Sequence, residues 1–259
     1  MPRSNRYIIP GYVYHVTHRC HNRSFLLRFA KDRNEYRERL RLALKAFDVK
    51  LLSYSITSNH THLLLTSSYP EELSAMMQKL EGEFAEYYNI RKKRRGAFWD
   101  GRFHCSMVDR GEYVWNCMKY IDMNMVRAGA VEHPRDWRWC GYAEIVGLRK
   151  RYRLLDKTEA MKWVGGTCSA TFAENYASVV EEAVANHELL REPMWTESIA
   201  VGRESFIQTV EETTTRRREF TVSEVRSGYW TVRESSAPYV AFLAQKTSAN
   251  GLSGKTKMG

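Results

Sequence analysis

The chain has 259 residues, 43% hydrophobic and 27% charged, enough for one large domain, or for a domain plus a second unit, with a real core. It holds no run of ~18 consecutive apolar residues, and "MPRSNRYIIPGYVYHV" at its start has no apolar segment before a small-residue cleavage site. Five cysteines (Cys20, Cys105, Cys117, Cys140, Cys168) without a CxxC pair fit reduced thiols better than a disulfide scaffold or zinc ribbon, so a cytoplasmic protein with no membrane span is expected. The net charge of +10 is lopsided: residues 1–150 carry 26 Lys+Arg against 16 Asp+Glu, and residues 151–259 carry 14 of each. The surplus that can attract a polyanion therefore sits in the N-terminal part.

In chain order, "GYVYHVTHR" alternates with period two and reads as a strand. "DRNEYRERLRLALKAF" places Tyr36, Leu40, Ala43 and Phe47 at helical spacing. "KLLSYSIT" and "HTHLLLT" are two strands around a tight "SN" turn. "PEELSAMMQKLEGEFAEYY" opens with Pro and two acids and repeats Leu73, Met76, Met77, Leu80, Phe84 and Tyr87, the pattern of a well-started amphipathic helix. "RFHCSMV" is strand-like, and "GEYVWNCMKYIDMNMVRAG" is helical up to Gly129. The order β-α-β-β-α-β plus a further helix predicts an α+β fold with a ferredoxin-like antiparallel sheet and helices on one face. Residues 1–147 are expected to form this core and 148–245 a helical C-terminal extension, with helices around 170–190 and 203–212. The Ser/Gly/Lys-rich tail, 246–259, is expected to be disordered.

Chemistry concentrates in two places. In "SNHTHLLL", His60 and His62 are two apart on a strand and share a face, where two neutral imidazoles can ligate one cation. Alone the pair is weak, and it equally describes two strand histidines with nothing to bind. In "KYIDMNMVRAG", Tyr120 and Asn124 stand one helical turn apart, beside an apolar stripe of Val114, Cys117, Met118, Ile121 and Met125. A phenol is a poor nucleophile at its ordinary pKa near 10, and a divalent cation beside a phosphodiester can polarise its target. An asparagine amide oxygen is a hard ligand suited to Mg²⁺ or Mn²⁺.

Together these motifs resemble the HUH-type single-tyrosine transposases, and more narrowly the REP-associated tyrosine transposases related to the IS200/IS605 group. "YVYHVTHRCHNRSFLL", "GAFWDGRFHCSMV" and "HPRDWRWCGY" are similar to further segments of that family, so the likeness runs over residues 6–147. Three positions depart from it: Thr61 between the histidines, "TSNH" in place of MPNH, and Asn124-Met125 where Asn-Pro is usual. None removes a ligand or the nucleophile. The resemblance implies a metal-dependent single-stranded DNA endonuclease and strand transferase. His60, His62 and Asn124 would hold Mg²⁺ or Mn²⁺, and Tyr120 would form a 5′-phosphotyrosine link with hairpin-containing, REP-like DNA.

For the substrate, "RKKRRGAFW" offers Arg91, Lys92, Lys93, Arg94 and Arg95 as phosphate contacts and Trp99 as a base-stacking residue. Arg3, Arg6, Arg149, Lys150 and Arg151 are further candidates, and Arg216, Arg217 and Arg218 a weaker set. His15, His18 and His21 alternate faces and are read as structural or DNA-proximal. Two alternatives stay open: a non-catalytic binder of structured DNA or RNA on a transposase-derived core, and a zinc hydrolase with Asp122 or Asp109 as base. Nothing in the sequence sets the oligomeric state.

Overall fold

The computed structural model describes residues 8–214 and 220–234. Strands β1 (Val13–Arg19), β2 (Lys50–Ile56), β3 (His60–Thr66) and β4 (His104–Val108) are joined by α1 (Ala30–Ala46) and α2 (Pro70–Arg91). Their order in the sheet is β2-β3-β1-β4, and every neighbouring pair is antiparallel, the ferredoxin-like arrangement read from the sequence. The helix after β4 is interrupted: α3 (Glu112–Asp122) stops, Met123 intervenes, and α4 (Asn124–Arg127) follows. Gly129 ends it at φ 64°, a left-handed conformation that costs a glycine nothing.

Alternation along β1 sorts the sheet into two buried faces. Tyr14, Val16, Leu63 and Leu65 pack with Tyr36, Leu40, Met76, Leu80 and Phe84 of α1 and α2. Val13, Leu52, Leu64 and Val108 pack on the other face with Val114, Cys117, Met118 and Ile121 of α3. Helices on one face were expected; both faces are covered. The second cover comes from α3 and from the C-terminal part, α5 (Tyr142–Ile145), α6 (Lys157–Val164), α7 (Ser169–Ala185) and α8 (Met194–Glu197), through residues such as Phe172, Tyr176, Val180 and Trp195.

The C-terminal extension is helical near the expected positions, in α7 and α9 (Glu204–Thr214), and it also supplies strands. β5 (Ala200–Gly202) runs parallel to β4, and the hairpin β6 (Phe220–Arg226) and β7 (Tyr229–Glu234) completes a seven-stranded sheet, β2-β3-β1-β4-β5-β7-β6. The extension thus continues the sheet of the N-terminal core. Residues 246–259, like Arg3, Arg6 and Arg216–Arg218, lie outside the described residues. No described helix is long and apolar enough to cross a membrane.

Candidate active site

Register places the chemistry. In β1 and β3, Thr17 lies opposite His62 and Arg19 opposite His60, so His15, Thr17, His60 and His62 share the face that α3 covers. Across that face the Asn124 amide nitrogen, at the start of α4, donates to His62 Nε2 at 3.0 Å. The Tyr120 ring stands edge-on to His62, with ring centres 6.1 Å apart. Four residues from segments sixty positions apart in sequence are therefore neighbours.

The two histidines are fixed from behind. His60 Nδ1 lies 2.7 Å from Asn59 Oδ1 and 2.9 Å from Thr57 Oγ1, which leaves Nε2 as its outward nitrogen. His62 Nδ1 lies 2.8 Å from His15 Nε2, and His15 Nδ1 lies 2.8 Å from the Trp195 carbonyl oxygen. Burial lowers all three imidazole pKa values, His15 to about 3, His60 to about 4 and His62 well below its ordinary range, with neighbouring His and Arg charges adding to the effect. All three are neutral at physiological pH. Two neutral imidazoles with Nε2 toward one opening, beside an amide, are a donor set that fits a divalent cation. Among the described residues no group of three His, Cys, Asp or Glu is placed to hold a metal, and the amide that meets His62 is that of Asn124.

Tyr120 departs from expectation. The sequence placed it beside the apolar stripe; it is 4% exposed and packed in with that stripe. Trp195 covers it, with ring centres 6.3 Å apart, and the Arg127 guanidinium sits 4.1 Å over its ring. Burial raises its phenol pKa, and Arg127 followed by Arg191 pulls the other way.

The opening over the histidines is a cleft of about 370 Å³ lined by Arg19, Arg23, Arg102, Arg191, Asp100 and Glu197 besides His60, His62 and His104. Sequence reasoning missed these four arginines, which are scattered from 19 to 191 and meet only in the fold. The expected phosphate-binding run is partly committed elsewhere. Arg91 pairs with the buried Asp32, and Arg94 donates to Asn89 Oδ1 at 3.0 Å and to the Ala97 carbonyl at 2.7 Å, bracing its own turn. Lys92 lies 4.8 Å over the Phe29 ring, while Lys93 and Arg95 are exposed. Trp99 is a core residue with no free face for a base: it stacks on His18 at 4.4 Å and donates its indole N–H to the Glu81 carbonyl at 3.0 Å. Arg149 bonds the Tyr54 hydroxyl at 2.9 Å beside Glu144, and Lys150 and Arg151 are exposed. Asp109 pairs with Arg203 at 2.7 Å and Asp122 accepts from Tyr176 at 2.7 Å, so neither is placed as a hydrolytic base.

Residues 9–124 match the model of a transposase family described as "Transposase IS200 like", a span that takes in His60, His62 and Tyr120 and closes on Asn124. That segment is similar to an IS200-like transposase domain. Among solved structures, a REP-associated tyrosine transposase bound to a REP hairpin is 19% identical, with a TM-score of 0.49 over 61% of this chain and 93% of that one. A transposase from Deinococcus radiodurans R1 is 16% identical, with a TM-score of 0.33 over 42% of this chain and 87% of that one. No curated protein matches the chain.

Proposed function

We propose that the protein cuts and rejoins single-stranded, hairpin-containing DNA through a covalent 5′-phosphotyrosine at Tyr120. The observation that carries this reading is the meeting of Asn124 with His62, at 3.0 Å, beside the ring of Tyr120. His60, His62 and Asn124 would hold Mg²⁺ or Mn²⁺, the asparagine by turning its amide oxygen to the ion. A cation bound there supplies Lewis-acid polarisation of a non-bridging phosphate oxygen.

The chain's own groups do the rest. The arginines of the cleft hold the phosphodiester by charge-assisted hydrogen bonds. The Tyr120 oxygen forms a bond to phosphorus as the P–O3′ bond breaks, and the phenol proton ends on the departing 3′ oxygen. The product is a protein-linked 5′ phosphate and a free 3′-OH, and reversal onto another 3′-OH rejoins the strand without an external energy source. Arg127, over the Tyr120 ring, favours the phenolate on the way.

A cationic hollow of about 750 Å³, lined by Arg41, Lys45, Lys50, Lys150, Arg153 and Lys157, supports a second phosphate contact for a duplex stem. It lies at the other end of the sheet: Lys50 pairs with Thr66, six residues along β3 from His60, or about 20 Å.

A second reading rests on the burial of Tyr120, which suits a binder of structured DNA that no longer cuts. The two are separated by a denaturing protein gel after incubation with Mn²⁺ and a hairpin strand labelled at its 3′ end. Label migrating with the protein, lost in Tyr120→Phe and with chelator, is the expected result. Retained binding with no covalent label, across a set of hairpins, establishes the binder.

A further inference from the structure

We infer that His15 and the main-chain carbonyl of Trp195 form a hydrogen-bond relay that locks His62 in the tautomer whose Nε2 lone pair faces the cleft, which makes both positioning groups for the metal site. The inference rests on the metal-centred reading above and extends it to a residue and a segment outside the ligand set.

The Trp195 carbonyl is the one group in the relay with no choice of role. A carbonyl oxygen only accepts, so the 2.8 Å contact requires His15 to carry its proton on Nδ1. A neutral His15 then has a bare Nε2, and the 2.8 Å contact to His62 is made only if His62 Nδ1 carries the proton. A neutral His62 with Nδ1–H has its lone pair on Nε2, where the Asn124 amide N–H now donates at 3.0 Å. Each step fixes the next, and the last atom is the one a cation would take.

Geometry agrees with the bond order. The His15 and His62 planes differ by 15° with ring centres 5.0 Å apart. Given a nitrogen–nitrogen distance of 2.8 Å, the rings lie edge to edge in a common plane, as an in-line N–H···N bond requires, and not face to face. The far end is rigid. Trp195 is fully buried, its indole N–H donates to Glu192 at 3.2 Å, and it packs in the core under α3. Ligating histidines are commonly oriented by an acceptor behind the ring. Here that acceptor is a second imidazole, itself oriented by a carbonyl 180 positions further along the chain.

Trp195 lies beyond residues 9–124, the span of the family match. The C-terminal part therefore completes the metal site by setting a proton position in it, without contributing a ligand.

The test is a long-range proton–nitrogen correlation spectrum of the histidine rings in the ¹⁵N-labelled full chain without metal, paired with a Mn²⁺ titration. Wild-type His62 should carry its proton on Nδ1. His15→Leu, which can neither accept nor donate, should release His62 toward the Nε2-protonated form and weaken Mn²⁺ binding about 10- to 100-fold. His15→Gln, which can do both, should restore the tautomer and most of the affinity. A wild-type His62 protonated on Nε2 overturns the relay whatever binds, and needs no variant to fold. An unchanged tautomer and affinity in a folded His15→Leu overturns it as well. Failure of the wild type to bind Mn²⁺, with His62 still protonated on Nδ1, overturns the metal reading and leaves the hydrogen-bond relay standing.

Discussion

Arg127 and Asp122 show how single residues around the site carry opposite electrostatic loads. Arg127 lies over the ring of a phenol that burial holds protonated, and a cation–π contact of about 1–2 kcal/mol corresponds to roughly a tenfold rate effect. Arg127→Ala should therefore slow covalent adduct formation about tenfold, measured with saturating DNA so that binding does not enter. Asp122 is fully buried, and burial raises its carboxyl pKa to about 7 despite hydrogen bonds from Tyr176 and the Tyr142 amide. Its folded pKa is above the ordinary carboxylate value of 3.8, so the folded state binds the extra proton. The contribution is fully present below about pH 4 and is lost as pH rises through about 7. Urea midpoints should fall between pH 5 and 8, and Asp122→Asn should flatten that fall; an unchanged slope would remove Asp122 as its source. The pairing of His60 with His62, and of Tyr120 with Asn124, was legible because strand and helix periodicities put each pair on one face. The role of His15 was not, since it depends on a carbonyl at Trp195 that no local pattern connects to it.

At the scale of elements, the basic run 91–95 divides by what each cation already touches. Arg91 ends α2 and neutralises the buried Asp32 of α1, so Arg91→Ala strands a buried carboxylate and should cost about 3 kcal/mol. Lys93→Ala and Arg95→Ala touch nothing comparable and should stay within about 0.5 kcal/mol of wild type in the same urea series. A spacing argument sees five like charges; only the packing of α1 on α2 tells them apart. The hairpin β6–β7 carried a signal that was not used: Ser227-Gly228 between two alternating runs, with Gly228 at φ 75°, is a two-residue turn. β5 had no such signal. Three residues, Ala-Val-Gly, form a strand only because β4 and β7 pair with them on either side.

For the whole molecule, cations from both parts of the chain gather on two separate basic surfaces, the arginine-lined cleft and the hollow at the far end of the sheet. If the hollow grips phosphates of a stem, Lys150→Ala combined with Arg153→Ala should lower the slope of log K against log salt by about 2. The loss should be similar for stems of different sequence; an unchanged slope would detach the hollow from DNA binding. The expectation of one N-terminal core with an appended helical unit captured the first four strands and both helices between them. It did not anticipate that the C-terminal part would extend the sheet and cover Tyr120, because covering is a property of the assembled layers. The most direct measurement is mass spectrometry of the protein digested after reaction with a hairpin strand and Mn²⁺. A 5′-phosphonucleotide is expected on the peptide bearing Tyr120 and on no other. A nucleotide on a different residue, or a cut strand bearing a free 5′ phosphate with the protein unmodified, would contradict it.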